Sequence, residues 1–249
     1  MKVLVCISNV PDTTTKIKLA SDRRSVDLAG VQWIIEPWDE LALTRALELR
    51  EATPPVVTQV TVVTVGKIEA EPTLRKALAV GADDAIRIDA EANDAFSVAS
   101  NLAEAIRNEA YDIILCGIES SDHNGSAVGG MLAELLGIAS VSSVSSLSVD
   151  ASGVLLTREI DGGKETVSVN GPFVAIVQKG ISLVPRIPSM RGIMTARTKP
   201  LKVVPATASL NYSATSEYDL PQPKAACRMV PADNASELVR LLHEEAKVF

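Results

Sequence analysis

The sequence is short of the residues from which many catalytic and binding sites are built. Its 249 residues include two histidines, and aromatic residues make up 3% of the chain. The three cysteines, Cys6, Cys116 and Cys227, show no CxxC spacing and have no histidine beside them. These absences argue against a metal centre or a redox-active disulfide, so we predict no metal site. We expect structural thiols in a protein of the reducing cytoplasm.

Clustered positive charge and long apolar runs are absent as well. The formal net charge is −7, whereas a nucleic-acid surface needs grouped lysine and arginine, so we expect no nucleic-acid partner. No apolar run approaches the roughly 18 residues of a membrane helix. The first predicted strand begins at Lys2, so we expect neither a membrane span nor a signal peptide.

Two common phosphate-binding motifs and one catalytic motif are missing. The chain contains no GxxxxGK[ST] sequence and no GxGxxG after a predicted strand. Ser120 and Ser121 lack a GxSxG setting, and His123 is expected to be an exposed loop residue. We therefore predict no catalytic residue in this chain.

The chain does contain a regular alternation of strand and helix patterns. Buried strands are predicted at Val3–Ile7, Val60–Val65, Asp84–Ile88 and Ile113–Cys116. Helices are predicted after Pro37 with Asp39 as cap, over Ala70–Val80, from Phe96 to Glu109, and after the loop that contains Gly125. Alternation with short connections predicts an α/β fold with a doubly wound, mostly parallel sheet.

The pattern changes after Gly137. Val154–Ile160 and Glu165–Val169 predict an antiparallel hairpin, and Phe173–Gln178 predicts one more strand. From Lys199 the chain is rich in proline and ends in a predicted helix over Asn234–Val248. We predict an α/β domain of residues 1–198 and a C-terminal arm of residues 199–249. We expect the arm to reach another subunit rather than to pack on its own domain.

The stretch from Asp112 to Gly137 is the strongest candidate for a binding site. A short buried strand is followed by a polar loop and by a helix that starts near Gly125, Ser126 and Gly129. Free backbone N–H groups and the positive end of the helix dipole can hold a phosphate there. Small residues at such a turn can also serve close packing alone, and the sequence leaves both readings open.

Several blocks resemble the β subunit of electron transfer flavoproteins. They are VLVCISNVPDTTTKIK, EPWDELALTRALELRE, TLRKALAVGADDAIRI, the candidate binding loop, TREIDGGKETVSV and RIPSMRGIMTARTKPLKV. Together they cover nearly the whole chain and stand in the order in which that family carries them.

The resemblance implies a heterodimer with an α subunit that carries most contacts to one FAD. The β subunit of such proteins holds a structural AMP or, in electron-bifurcating relatives, a second FAD. The complex takes electrons from acyl-CoA or related dehydrogenases and passes them toward the quinone pool, through a quinone oxidoreductase or an equivalent acceptor. The β subunit has no substrate chemistry of its own. The alternative reading is a stand-alone adenine-nucleotide-binding protein on the same fold.

Position by position, the resemblance also implies site residues. The adenylate is expected among Cys6, Pro37, Trp38, Asp39, Val65, Gly66, Gly117, Ser121, Asp122, Gly125, Ser126, Ala127, Val128 and Gly129. Thr13 and Trp38 are expected near the FAD of the partner, although the residues alone leave Trp38 equally consistent with a core position. The segment Ile181–Arg197 matches the loop that grips partner dehydrogenases, with Pro188, Met190, Ile193 and Met194 as contacts. Glu36 replaces an asparagine common in the family.

Overall fold

The computed structural model describes residues 1–150, 153–224 and 226–249, and within these ranges the chain forms eleven strands and six helices. The strands are Lys2–Cys6 (β1), Asn9–Pro11 (β2), Trp33–Ile35 (β3), Gln59–Val65 (β4), Asp84–Asp89 (β5), Ile113–Gly117 (β6), Ala139–Asp150 (β7), Gly153–Ile160 (β8), Gly163–Val169 (β9), Phe173–Val177 (β10) and Leu201–Pro205 (β11). The helices are Pro37–Glu51 (α1), Glu71–Val80 (α2), Ala95–Ile106 (α3), Val128–Leu136 (α4), Met190–Ala196 (α5) and Ala235–Arg240 (α6).

Nine of these strands form one sheet in the order β11-β5-β4-β1-β6-β10-β7-β8-β9. The pairs from β11 through β7 are parallel, and β7-β8 and β8-β9 are antiparallel. The chain adds β4 and β5 on one side of β1 and then β6 on the other. The predicted doubly wound, mostly parallel sheet with an antiparallel hairpin is therefore confirmed. Its topological switch point lies between β1 and β6, where open α/β sheets bind ligands.

The core lies on both faces of this sheet because successive side chains of a strand point to opposite faces. Val3 and Val5 of β1 belong to the layer under α1 and α2, together with Leu43 and Leu74. Leu4 and Cys6 belong to the layer under α3 and α4. Parallel strands buried on both faces explain the continuous apolar runs of the sequence.

Strand β11 was not predicted. Leu201–Pro205 pairs in parallel with β5 at the edge of the sheet. Lys199 anchors the chain just before this strand, because its ammonium group donates to the backbone oxygens of Leu78 in α2 and of Ala82 just after α2. The five residues alternate weakly in hydropathy and end in proline, so the sequence resembled a linker, whereas the unpaired edge of β5 made it a strand.

The end of the chain differs from the prediction in two respects. Helix α6 covers Ala235–Arg240 only and continues as a π-helical turn over Leu241–Glu245, so the predicted helix up to Val248 was too long. Asn234 caps α6, with its side-chain oxygen 3.3 Å from the backbone nitrogen of Glu237. Within the arm, Thr207, Tyr212 and Tyr218 hydrogen-bond to the chain's own domain, and the reach of the arm to another subunit stays a prediction.

Candidate functional site

A cavity of about 440 Å³ lies at the carboxyl ends of β1, β4 and β6. Its floor includes Cys6 from β1, Val65 from β4 and Cys116 from β6, and its walls come from the segments that follow these strands. The volume falls in the range of small-molecule sites, which is about 300–1,000 Å³. The topology puts the cavity at the switch point of the sheet, the position where the ligand of this architecture is expected.

Asp39 joins the two strand ends that flank the switch point. One carboxylate oxygen accepts a hydrogen bond from the backbone nitrogen of Ser8 at 2.7 Å, and the other accepts one from Gly117 at 2.8 Å. The prediction that Asp39 caps α1 was wrong. Glu36 holds the N-cap position without a side-chain hydrogen bond, and Asp39 lies within the first turn. Proline at the start of α1 leaves one fewer helix N–H group that needs a cap.

The environment of Asp39 is acidic as well as buried. Asp39 and Glu36 are each 2% exposed, and Glu36 accepts a hydrogen bond at 2.7 Å from the backbone nitrogen of Ser121. Burial raises the pKa of Asp39 to about 7; the charge of Glu36 adds to this effect, and the N–H groups of Ser8 and Gly117 oppose it. Both carboxyl groups are thus used to hold backbone segments around the cavity rather than presented to a ligand.

The loop before α4 lines the cavity with Gly125, Ser126 and Ala127. Asn124 and Ser126 adopt positive φ angles of 50° and 47°, which turn the chain sharply into the helix. The hydroxyl of Ser126 donates to Glu119 at 3.0 Å. Ala127 is the N-cap of α4 and provides no side-chain hydrogen bond, so its side chain does not cap the first N–H groups of the helix. Amides of this kind, at the positive end of a helix dipole, bind anions.

Close packing accounts for part of the glycine content of this region. A Cβ atom on Gly129 would lie 2.7 Å from the side chain of Ile176 on β10, so this glycine lets α4 approach the sheet. A Cβ atom on Gly125 or Gly130 would meet no atom within 4 Å. The packing role that the sequence left open therefore holds for Gly129, whereas neither Gly125 in the loop nor Gly130 in α4 is required by close packing.

His123 is the only residue among the described lining residues that can carry a positive charge. Its Nδ1 atom lies 3.2 Å from a carboxylate oxygen of Asp122. The hydrogen bond with Asp122 raises the pKa of His123. Burial alone would raise the pKa of Asp122, but hydrogen bonds from His123 and Ser120 lower it. Among the residues that the structure describes, none hydrogen-bonds to the Nε2 atom of His123.

Cys6 and Cys116 lie side by side on the floor of the cavity. Their strands are in register, because Val5 pairs with Leu115, the residue that precedes Cys116. Both thiols are free and buried. The hydrogen bond with Cys116 raises the pKa of the Cys6 thiol, and burial adds to the effect. A raised pKa makes the Cys6 thiol a weaker nucleophile, which agrees with a structural role.

The cavity brings together nine of the fourteen residues expected around an adenylate: Cys6, Asp39, Val65, Gly117, Asp122, Gly125, Ser126, Ala127 and Val128. Pro37, Trp38, Gly66, Ser121 and Gly129 lie outside its lining, and all of them except Pro37 adjoin a lining residue along the chain. Trp38 is half-buried at the start of α1, with its Cβ atom close to Gly117, and Thr13 is exposed in the turn after β2.

Sequence reasoning missed two walls of the cavity. Residues Ala92–Ala95 follow β5, and residues Ser213–Thr215 come from the arm. The sequence of the first wall contained a detectable signal, since Asp94 and Ser97 form a capping box at the start of α3. The second wall had none, because it lies in an extended, proline-flanked segment with no period of its own.

The predicted partner segment forms an exposed apolar surface. Helix α5 is fixed to α2 at its base: Ala196 is buried, and Arg75 donates to its backbone oxygen at 2.9 Å. Met190 and Met194 are 77% and 71% exposed, and Ile187 and Ile193 are exposed beside them. A rigid base that presents several large apolar side chains to solvent is typical of an interaction surface.

No helix among the described residues has both the length and the apolar character needed to cross a membrane.

The fold and the cavity define a doubly wound α/β protein with a cavity of small-molecule size at the switch point of its sheet. The family model for the electron transfer flavoprotein domain matches residues 25–209. The chain is 38% identical over 228 residues to the electron transfer flavoprotein subunit beta of Syntrophomonas wolfei, covering 91% of this chain and 88% of the relative. The proteins of the same name from Bradyrhizobium diazoefficiens and Bacillus subtilis are 36% and 34% identical over the full length of both chains. The chain belongs to the electron transfer flavoprotein family, and its resemblance to the β subunit is confirmed.

Proposed function

We propose that this chain is the β subunit of a heterodimeric electron transfer flavoprotein and acts with an α subunit that carries FAD. The complex accepts electrons from acyl-CoA-type dehydrogenases and passes them toward the quinone pool, through a quinone oxidoreductase or an equivalent acceptor. The observation that carries this proposal is full-length similarity to proteins named as β subunits. The cavity at the switch point supports it independently, since its volume and its position suit a nucleotide.

The cavity fits AMP better than its acidic lining first suggests. Asp39 is bound to two backbone N–H groups, Asp94 to three, and Glu119 to the Ser126 hydroxyl. A phosphate would be held by the first amides of α4 and by protonated His123, and the adenosine part would lie over Cys6 and Val65. Glu36, whose charge could repel a phosphate, is buried and bound to Ser121.

The redox chemistry belongs to FAD, which carries electrons when it is bound in the heterodimer. In this proposal Thr13 and Trp38 contact the flavin side of the interface. The support is that Thr13 is exposed, that Trp38 is half-buried, and that both follow the carboxyl edge of the sheet. An apolar indole in that position would exclude water and lower the local dielectric constant around a flavin.

The surface formed by exposed Met190, Ile193 and Met194 and by half-buried Pro188 is proposed to bind the partner dehydrogenase. Met190 stands where the family commonly has leucine, and methionine fills an irregular apolar pocket equally well. Its support is the contrast between the exposed apolar side chains and the base of α5, which Arg75 of α2 holds by a hydrogen bond to Ala196, while Ser189 caps the start of α5. We propose a cytoplasmic location, in line with the free thiols.

Expression of the chain alone and together with its α subunit tests the proposal. The expected results are a colourless, poorly stable protein alone and a yellow complex with a single FAD and a single AMP per heterodimer. Visible spectra and chromatography of the nucleotides released on denaturation give both counts. Two FAD molecules per heterodimer would support the electron-bifurcating alternative. A stable monomer that binds or hydrolyses ATP without a partner would overturn the electron-transfer proposal.

A further inference from the structure

The C-terminal arm crosses α3 before it reaches the cavity. After β11, the backbone nitrogen of Thr207 donates to the side-chain oxygen of Asn101 at 2.9 Å, and the Asn101 amide donates to the Ser209 hydroxyl at 3.2 Å. Farther along, Tyr212 packs edge-on against Phe96, with ring centroids 4.7 Å apart. The arm is thus aligned along one helix by side chains that are separated from it by about a hundred positions of sequence.

Asp94 holds the arm where the arm becomes part of the cavity. One carboxylate oxygen accepts from the backbone nitrogen of Ser97 at 2.7 Å and caps α3. The other accepts from the backbone nitrogens of Tyr212 and Ser213 at 2.6 and 3.0 Å. The residue is 8% exposed, so these charge-assisted bonds are largely shielded from water. The N–H group of Ser97 is the main cause that lowers the pKa of Asp94 to about 2, and those of Ser213 and Tyr212 contribute.

The arm next forms a wall of the cavity. Ser213, Ala214 and Thr215 line it together with residues of the loop before α4. The side chains of residues 210–217 are exposed, so the arm buries little apolar surface here and depends on hydrogen bonds for its position. The next backbone anchor is the bond from Tyr218 to the oxygen of Arg23 at 2.8 Å. A segment of this kind opens at low cost once its bonds are lost.

We propose that Asp94 is a positioning residue of the nucleotide site. It holds Tyr212 and Ser213 so that the arm closes the cavity, and we call its hydrogen bonds to these two backbone nitrogens the latch. A bound nucleotide leaves at a rate that is set by the breaking of the latch. The inference deepens the proposed function, because AMP is the nucleotide proposed for the cavity. The inference adds that one wall of the nucleotide site belongs to the C-terminal arm, so the exchange of nucleotide depends on the position of the arm.

The variant D94N separates the latch from the helix cap. Asparagine is as good an N-cap as aspartate, so its side-chain oxygen keeps the bond to Ser97. Its amide group then faces the N–H groups of Tyr212 and Ser213, and both bonds to the arm are lost. The matched control is S97A, which removes the hydroxyl that bonds to Asp94 in the capping box and leaves both arm bonds intact.

The measurement uses the heterodimer loaded with radiolabelled AMP and chased with unlabelled AMP. We expect D94N to speed AMP dissociation by about tenfold or more, because two bonds to a carboxylate are lost. S97A is expected to lower the melting temperature and to leave the dissociation rate within about twofold of wild type. Equal rates in wild type and D94N, or an equal acceleration by S97A, would overturn the proposal.

Hydrogen exchange keeps the latch testable apart from the nucleotide. The amides of Tyr212 and Ser213 are expected to be protected in wild type and S97A, and to exchange faster in D94N, without AMP in the buffer. Equal protection in all three proteins would overturn the latch even if AMP binds. If AMP binds to none of them while the exchange pattern holds, the adenylate proposal fails and the latch stands.

Discussion

The backbone nitrogen of Gly117 lies 2.8 Å from a carboxylate oxygen of Asp39, and this contact fixes the end of β6 to the start of α1. A side chain at position 117 has no room. A Cβ atom there would lie 2.5 Å from the Asp39 oxygen and 2.9 Å from the Trp38 Cβ atom. Glycine is therefore required at this position by the approach of α1 rather than by a ligand.

The first prediction concerns this contact. G117A is expected to lower the free energy of unfolding by about 1–3 kcal/mol, because the neighbouring side chains must shift to make room. G130A is the matched control, since a Cβ atom at that exposed position of α4 meets nothing within 4 Å. It is expected to raise stability by up to about 1 kcal/mol. Urea denaturation of both variants measures the difference, and equal stabilities would contradict the packing argument.

The second prediction follows from the raised pKa of Asp39. Between the unfolded pKa of about 3.9 and the folded pKa of about 7, the native state binds more protons than the unfolded state. This group therefore lowers stability as pH rises, by at most about 1.4 kcal/mol per pH unit. D39N removes this contribution together with one backbone hydrogen bond. Denaturation across this range should show the advantage of wild type over D39N shrinking as pH rises, and a constant difference would contradict the assignment.

The third prediction concerns His123 and the phosphate of AMP. Its pKa is raised, so the ring is charged below that value and becomes neutral as pH rises through it. AMP affinity of wild type relative to H123Q is expected to fall by about threefold from acidic to alkaline pH, a small effect because the ring is partly exposed. The phosphate's own titration is common to both proteins and cancels. H123K stays charged and should keep its affinity, whereas parallel profiles of wild type and H123Q would rule out contact with the phosphate.

The fourth prediction concerns the exposed surface at α5. M190S is expected to reduce the rate of electron transfer from a partner dehydrogenase by about tenfold, because a buried apolar anchor is lost at the interface. Its stability should stay within about 0.5 kcal/mol of wild type, since Met190 is 77% exposed. M229S in the arm, where the side chain is 84% exposed, is the control for general effects of surface substitution. An unchanged transfer rate in M190S would exclude this residue from the interface.

The sequence alone determined the doubly wound core, the hairpin and the position of the ligand edge, because these depend on local periodicity and on glycine and proline at turns. Leu4 and Val5 lie on opposite faces of the sheet because strand residues alternate. Residues after β1 and β6 could be assigned to one edge because parallel strands end together. The family resemblance added individual site residues, which the periodicity of the sequence cannot predict.

Only the tertiary structure decided what the polar residues near that edge do. Asp39 was predicted to be a helix cap from its neighbours in sequence, yet its partners are Ser8 and Gly117, which lie 31 and 78 positions away. Asp94 likewise serves the arm as well as its own helix. Such pairings need the whole sheet to bring distant segments together. Burial raises the pKa of Asp39, and backbone donors lower the pKa of Asp94. Both effects exist only after folding.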